Sequence, residues 1–243
     1  MNPLLTLVTA GRVLTQIRHD PRTIVLLLFV PSLLLGLLAW VFDDAHTFDQ
    51  VGPALLALFP FIVMFLVTSI ATLRERRSGT LERLLTLPLG KGDVIAGYAL
   101  AFGLLAAMQA LIAVAFAVWV CGLTIAGPIG LLIVAAILNG LLGTTLGLLA
   151  SAFAATEFQV VQFMPAIVFP QVILGGVIVP RDSMPDVLRA ISDWLPMSHS
   201  VQALHDLATS TDTGPALREL GVVALFTLGV VVLAALSLRR QTR

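Results

Sequence analysis

Six windows of about 20 residues without Asp, Glu, Lys or Arg constrain this chain more than any other feature. One charge at the centre of a bilayer costs about 2.5–3.5 kcal/mol, so six charge-free windows predict six transmembrane segments. The windows are continuously apolar, which favours helices over the alternating strands of a β-barrel. They cover residues 24–42, 51–73, 94–121, 129–153, 160–179 and 220–238.

Composition supports an all-α integral membrane protein. Charged residues make up 12% of the chain, whereas a soluble domain carries about 25%. The formal net charge is zero, which argues against nucleic acid as a partner. The single cysteine, Cys121, excludes an internal disulfide and a CxxC metal site. His199 and His205 lack a third ligand, so we expect no metal site.

The distribution of basic residues predicts the orientation of the helices. If the N-terminus is cytoplasmic, 11 of the 14 basic residues fall on the cytoplasmic side, and only Arg181, Arg189 and Arg218 fall outside. The sequence therefore predicts a multi-pass membrane protein with both termini in the cytoplasm.

The first 22 residues form a separate predicted unit, a helix that lies flat on the inner membrane surface and ends before Pro21. The alternative is that this helix simply extends the first span. The apolar face predicted to contact the membrane contains Leu7, Ala10, Leu14 and Ile17, and the opposite face contains Thr9, Arg12, Gln16 and His19.

A charged segment separates the second and third spans. Residues 73–94 hold five basic and three acidic side chains. Thr80 suits an N-cap, Glu82 lies in the first helical turn, and Pro88 ends the helix. Leu81, Leu84 and Leu85 share one face. From the residues alone, the segment is either a short cytoplasmic helix that contacts a partner or only a basic anchor that fixes the topology.

Two stretches carry a family resemblance. "RERRSGTLERLLTLPL" resembles the R/E-E-x-x-x-G-T-L-E-x-L-L-x-x-P-L segment of ABC-2 type permeases, the membrane subunits of bacterial ABC exporters. "ILGGVIVPRDSMPDVLRAISDWLPMSHSVQALHDL" resembles the segment that precedes the last span in that family. The resemblance implies a protein of the bacterial inner membrane, with a six-helix transmembrane domain over residues 23–243 and a coupling helix over 74–90.

The resemblance also implies partners. Two copies of an ATP-binding subunit would hold ATP and Mg, and a second permease chain, identical or homologous, would complete the transporter in the bilayer. The chain has no Walker A sequence, because Lys91 is followed by glycine; we therefore expect no catalytic residue and no cofactor on it. The residues implied to contact the ATP-binding subunit are Glu75, Arg76, Arg77, Gly79, Thr80, Leu81, Glu82, Leu84, Leu85 and Glu157.

Residues 180–215, before the last span, are predicted to form short helices. Ser183 and Asp186 suit a capping box, and an apolar face follows over Val187, Leu188, Ile191, Trp194 and Leu195. Val201, Leu204 and Ala208 indicate a second amphipathic helix. Such short helices cannot span a bilayer, and the resemblance implies re-entrant helices that cover an extracellular exit. The residues assigned to this exit are Gly175, Gly176, Pro180, Trp194 and Pro196.

Polar residues within the spans are few. Gln109, Asn139, Gln162 and Gln171 are either packing contacts or part of a translocation path. Ion-coupled carriers place ionisable residues inside their spans, and these windows contain none. We therefore expect an ATP-driven exporter of lipophilic drugs, antibiotics or lipid-like compounds. The alternatives are an exporter of lipid-linked polysaccharide and, in a different class, an ion-coupled secondary carrier.

Overall fold

The computed structural model describes residues 3–79 and 91–237. Over these ranges the chain forms nine α-helices, a single 3-10 turn at Arg181–Ser183 and no β-strand. The all-α prediction is confirmed. The helices are α1 (Pro3–Arg18), α2 (Pro21–Phe42), α3 (Ala45–Arg77), α4 (Lys91–Trp119), α5 (Ile129–Phe153), α6 (Glu157–Leu174), α7 (Asp186–Ser192), α8 (Pro196–Thr209) and α9 (Gly214–Ser237).

Six helices, α2 to α6 and α9, are long and apolar enough to cross a membrane. The helices begin earlier than most of the apolar windows because polar caps lie outside the hydrocarbon region. The Asp20 carboxylate accepts a hydrogen bond from the amide of Thr23 and caps α2, and Asp44 caps α3 in the same way. The predicted fifth window extended to residue 179, but α6 ends at Leu174, shortly before Gly176 adopts a φ of +83°.

The longest helix, α3, lies at the centre of the bundle. Its 33 residues extend over about 50 Å at 1.5 Å per residue, so the helix continues beyond a hydrocarbon core of about 30 Å. Gly143 and Gly147 of α5 allow close contact with α3: a Cβ atom at Gly143 would overlap the Phe61 carbonyl oxygen. The GxxxG prediction of close helix approach is confirmed.

The segment before the last span differs in part from its prediction. The predicted capping box is wrong, because Ser183 ends the 3-10 turn and α7 begins at Asp186 with Pro185 at the N-cap position. Most of the apolar face of α7 is exposed in this chain, and Trp194 just beyond it is 78% exposed. In α8, by contrast, Val201 and Leu204 are buried in the main core, so the predicted second amphipathic helix is present.

Helix α1 is separate from α2, because the chain turns at His19 and Asp20. The residues predicted to contact the membrane do not share one environment: Ala10 and Ile17 are buried against the bundle, together with Thr9 of the predicted opposite face, whereas Leu7 is 61% exposed. The reason is a close contact with α4, where a Cβ atom at Gly97 would lie 2.6 Å from the Cβ atom of Thr9. The inward residues are Thr9, Ala10, Val13 and Ile17.

Candidate functional site

We refer to the end of the bundle where α3 ends and α4 begins as the junction end. The predicted contact residues Thr80, Leu81, Glu82, Leu84 and Leu85 lie outside the residues that the structure describes. Glu75, Arg76, Arg77, Gly79 and Glu157 are described, and all five lie at the junction end.

Glu75, in the last turns of α3, is bound to Arg12 of α1 rather than exposed. The two Nη atoms of Arg12 donate to the two carboxylate oxygens of Glu75 at 3.2 and 3.0 Å. The Glu75 side chain is 5% exposed and that of Arg12 is 31% exposed. A two-pronged arginine–carboxylate contact fixes the relative orientation of both groups as well as their distance.

The same guanidinium also contacts α4. Nη2 of Arg12 donates to the Tyr98 hydroxyl oxygen at 3.0 Å, and the guanidinium carbon lies 5.9 Å from the centre of the Tyr98 ring, within the range of a cation–π contact. Arg12 therefore connects α1 to the last turns of α3 and to the first turns of α4, the two helices that flank residues 80–90.

A second ion pair at the junction end is exposed. Nε and Nη2 of Arg74 donate to the carboxylate oxygens of Glu157 at 2.7 and 3.2 Å. Glu157 is the first residue of α6, where the helix dipole favours an acid. Because both side chains are about half exposed, this pair stabilises the fold by at most about 1 kcal/mol. It nevertheless places α3 next to the start of α6.

Arg76 and Gly79 complete the end of α3. A guanidinium nitrogen of Arg76 donates to the Ser151 carbonyl oxygen in the last turn of α5. Gly79 has a φ of +71°, a left-handed conformation that terminates helices and that glycine adopts without steric cost. Arg77 is exposed. The last turns of α3 therefore contact α1, α5 and α6 through polar side chains, and Arg12 links this end of α3 to α4.

A family model described as ABC-2 type transporter matches residues 4–207. The chain belongs to this family. It is 31% identical over 149 residues to the probable multidrug ABC transporter permease YbhR of Escherichia coli K12, covering 61% of this chain and 40% of YbhR. Identity to the probable multidrug ABC transporter permease YbhS of the same strain is 24%, over 84% of this chain and 54% of YbhS. Identity to the linearmycin resistance permease protein LnrN of Bacillus subtilis is 24%, over 60% of this chain and 38% of LnrN.

Membership of this family and six apolar helices make the chain a multi-pass ABC-2 permease of a membrane transporter, and the family implies an ATP-binding subunit as partner. The chain spans less than two thirds of the length of the curated relatives that it matches.

The predicted contact residues of this permease fall into two groups. The Glu75 carboxylate is held inside the chain by Arg12, so its position suits a residue that orients α3 rather than one that touches a partner. Arg77 and Glu157 present charged atoms at the surface instead, as does Arg74, which was not among the predicted contact residues. Direct contact of any of these residues with an ATP-binding subunit stays a prediction.

Sequence reasoning missed Arg12, Tyr98 and Ser151 as parts of this site. Arg12 stands on what was predicted to be the solvent face of α1, and it lies 63 positions from Glu75. Helical periodicity reports which residues of one helix share a face, but it does not report which distant residue an arginine meets. The only available signal was that a basic side chain and an acidic one were assigned to the same side of the membrane.

The four residues predicted to line a translocation path differ in burial and in hydrogen bonding. Asn139 is fully buried and its Nδ2 donates to the Ala57 carbonyl oxygen. Gln109 is buried too, and neither of its amide atoms has a hydrogen-bond partner among the described residues. On α6, Gln171 is buried and donates to a carbonyl one turn earlier, whereas Gln162 is exposed. A path along these residues stays a prediction.

The predicted exit residues lie at the opposite end of the bundle from the junction end. Gly175 and Gly176 connect α6 to the 3-10 turn, Pro180 and Trp194 are exposed, and Pro196 is the buried first residue of α8.

His199 of α8 is bound at its two ring nitrogens. Nδ1 lies 2.5 Å from a carboxylate oxygen of Glu219 on α9, and Nε2 lies 3.0 Å from the Asp193 carbonyl oxygen. Over the part of the chain that the structure describes, no three His, Cys, Asp or Glu side chains are grouped as metal ligands would be.

Proposed function

We propose that this chain is the membrane-spanning subunit of an ATP-driven exporter of lipophilic drugs, antibiotics or lipid-like compounds. In this proposal the junction end faces the cytoplasm of a bacterial cell, and an ATP-binding subunit contacts residues 74–90 and Glu157. Two permease chains and two ATP-binding subunits form the transporter, and the ATP-binding subunits hold ATP and Mg.

The observation that carries the proposal is the connection of three helices by Arg12. Residues 80–90 are flanked by α3 and α4, and both helices are held by the same guanidinium through Glu75 and Tyr98. A force applied to residues 80–90 would therefore displace α1 and the adjoining ends of α3 and α4 together. This arrangement suits a segment that receives motion from a partner better than it suits a simple basic anchor.

The packing of α3 gives that displacement a path into the membrane. The close contact at Gly143 and Gly147 places the backbone of α5 directly against α3, so neither helix can move toward the other. A movement of α3 at the junction end would then shift α5 with it. Such a coupled tilt of helices is the type of change that alternating access requires.

The nature of the cargo is supported by composition and by the relatives. The apolar windows contain no Asp, Glu, His, Lys or Arg side chain, which suits an apolar or amphipathic cargo. YbhR and YbhS are named as probable multidrug transporter permeases, and LnrN as a linearmycin resistance permease. We extend a lipophilic cargo class to this chain on these grounds.

Co-expression with a candidate ATP-binding subunit tests the proposal. The two chains should purify together, and the complex in lipid nanodiscs should hydrolyse ATP faster when lipophilic candidate cargoes are added. Glu82→Arg should abolish this stimulation and the co-purification while the permease still inserts into the membrane, because a reversed charge would oppose docking.

Asp186→Arg is the matched control, since it reverses an exposed acid in the first turn of α7 at the opposite end of the bundle. It should keep both co-purification and stimulated hydrolysis. A wild-type chain that binds no ATP-binding subunit would refute the exporter assignment. A Glu82→Arg variant that behaves as wild type would refute the docking segment alone.

A further inference from the structure

A groove lies between α1, α2 and α3 at the junction end. Its volume is about 350 Å³, within the range of small-molecule sites. Its walls are apolar along most of their length, with Val30 on α2 facing Val63 and Val67 on α3. Its polar lining residues include Asp20 and Arg74.

The depth of the groove matches one leaflet of a bilayer. Along α3 it extends from Arg74 to Val63, which is 74 − 63 = 11 residues or about 16 Å at 1.5 Å per residue. The hydrocarbon core of a bilayer is about 30 Å thick. The polar end of the groove therefore lies near the bilayer surface, and the apolar end lies near the bilayer centre.

The polar rim of the groove carries one acid and one base. The hydroxyl and amide of Thr23 donate to the Asp20 carboxylate and hold its pKa below the ordinary value, so Asp20 is anionic at neutral pH. Arg74 is cationic and uses Nε and Nη2 for Glu157. An anionic headgroup would meet the repulsion of Asp20, and a cationic one would meet that of Arg74.

We propose that this groove binds one phospholipid of the adjacent leaflet, with an alkyl chain along Val30, Val63 and Val67 and a zwitterionic headgroup between Asp20 and Arg74. The ammonium group lies toward the carboxylate of Asp20, and the phosphate lies toward the guanidinium of Arg74. The lipid is a bound component of the permease, not its cargo. The inference goes beyond the proposed function and does not depend on it.

The bound lipid has a structural consequence. Its chain fills the space between α2 and α3, and its headgroup contacts the turn between α1 and α2 as well as the last turns of α3. It therefore adds a second connection between α1 and α3, beside the contact of Arg12 with Glu75. A permease in a bilayer without zwitterionic lipid would have α1 held by protein contacts alone.

Photo-crosslinking of lipids to the full-length permease in nanodiscs tests the site. The probes are phosphatidylethanolamine and phosphatidylglycerol, each with a diazirine near the end of one acyl chain, in a phosphatidylglycerol host bilayer. We expect phosphatidylethanolamine to label the peptides of α2 and α3 that line the groove about 2–5-fold more than phosphatidylglycerol, the preference that an exposed charge pair supports. Equal labelling by both probes would overturn the headgroup assignment.

Variants locate the labelling. Val67→Trp and, on the opposite wall, Val30→Trp should each lower labelling of the groove peptides by about tenfold, a loss that corresponds to 1.4 kcal/mol. Leu228→Trp on α9 is the control, because Leu228 is exposed away from the groove, and it should leave the labelling unchanged. Undiminished labelling in the two groove variants, each verified as monodisperse and thermally stable, would overturn the site.

Asp20→Asn separates charge from shape, since asparagine removes the charge and is also a favoured N-cap residue. It should remove the preference for phosphatidylethanolamine while α2 stays capped. A preference that survives this substitution would overturn the role of Asp20. Crosslinks between two permease chains through the groove in place of lipid adducts would show that a second copy covers it, which would also overturn the proposal.

Discussion

Replacing Arg12 by glutamine removes the cation that the structure places against a nearly inaccessible carboxylate. Glu75 would remain 95% buried and lose both of its charged hydrogen bonds. Removing one partner of a fully buried ion pair costs about 3–5 kcal/mol. Because the Arg12 side chain is 31% exposed, water can reach part of the site, and we expect a smaller cost of about 2–3 kcal/mol.

A double-mutant cycle isolates the contact itself. Glu75→Gln alone should also destabilise the permease, because Arg12 then loses its anionic partner. In the double variant, two neutral amides replace the ion pair and no uncompensated charge remains. The stability lost by the double variant should therefore be well below the sum of the losses of the two single variants. The expected coupling energy is about 2 kcal/mol, within the range for residues in direct contact.

Thermal unfolding of the four proteins in the same detergent provides the measurement. By the scaling for domains of this size, a loss of 2–3 kcal/mol lowers Tm by about 4–12 °C. Tyr98→Phe is a control with a smaller change, because it removes one hydrogen bond to a charged group and keeps the aromatic ring. Loss of that hydrogen bond costs at most about 1.5–3 kcal/mol.

Two outcomes would refute this reasoning. If Arg12→Gln leaves Tm unchanged, Arg12 does not hold Glu75. If the stability losses of the two single variants add up in the double variant, the two residues act independently. A Glu75→Gln variant of full stability that fails to bind an ATP-binding subunit would instead show that Glu75 contacts the partner directly.

Three further predictions follow from packing, capping and exposure. Gly143→Ala should destabilise the bundle by about 1–3 kcal/mol, since the added methyl group overlaps a carbonyl oxygen of α3; Gly130→Ala, with open space around it, should leave Tm unchanged. Because hydrogen bonds from Thr23 lower the pKa of Asp20, its ionised cap stabilises the fold above the ordinary pKa of about 3.9. The difference in stability between the wild-type chain and Asp20→Asn should then disappear as the pH falls through the lowered pKa of Asp20. A difference that persists at low pH would contradict this prediction. Trp194 should be quenched by lipids brominated near the headgroup, since an exposed tryptophan at this end suits the membrane interface, and unquenched fluorescence would place it elsewhere.

Much of the helix arrangement could be predicted because burial of charge in hydrocarbon is costly along the whole chain. Each apolar window lies largely within an observed helix, and the glycines at 143 and 147 correctly indicated a close helix contact. Helix ends were predicted less well. A capping box at Ser183 fitted the sequence pattern, but Ser183 is the last residue of a 3-10 turn and therefore does not cap α7.

The candidate site could be predicted only in outline. The motif identified the charged end of α3, but it gave no indication that Glu75 pairs with Arg12. The burial of Thr9 against the bundle was not predicted either, because it depends on a close contact with Gly97 on a helix about 90 positions away. Periodicity within one helix contains no information about the shape of the helix that it meets.

The sequence by itself determined the membrane class, the number of spans and the family, since these depend on local hydropathy and on contiguous motifs. Tertiary structure alone decided which charges meet. Arg12 and Glu75 are 63 positions apart and Arg74 and Glu157 are 83 apart. Their contacts arise when packing in the bundle places the ends of α1, α3 and α6 at the same level, where unpaired charges next to hydrocarbon would be costly.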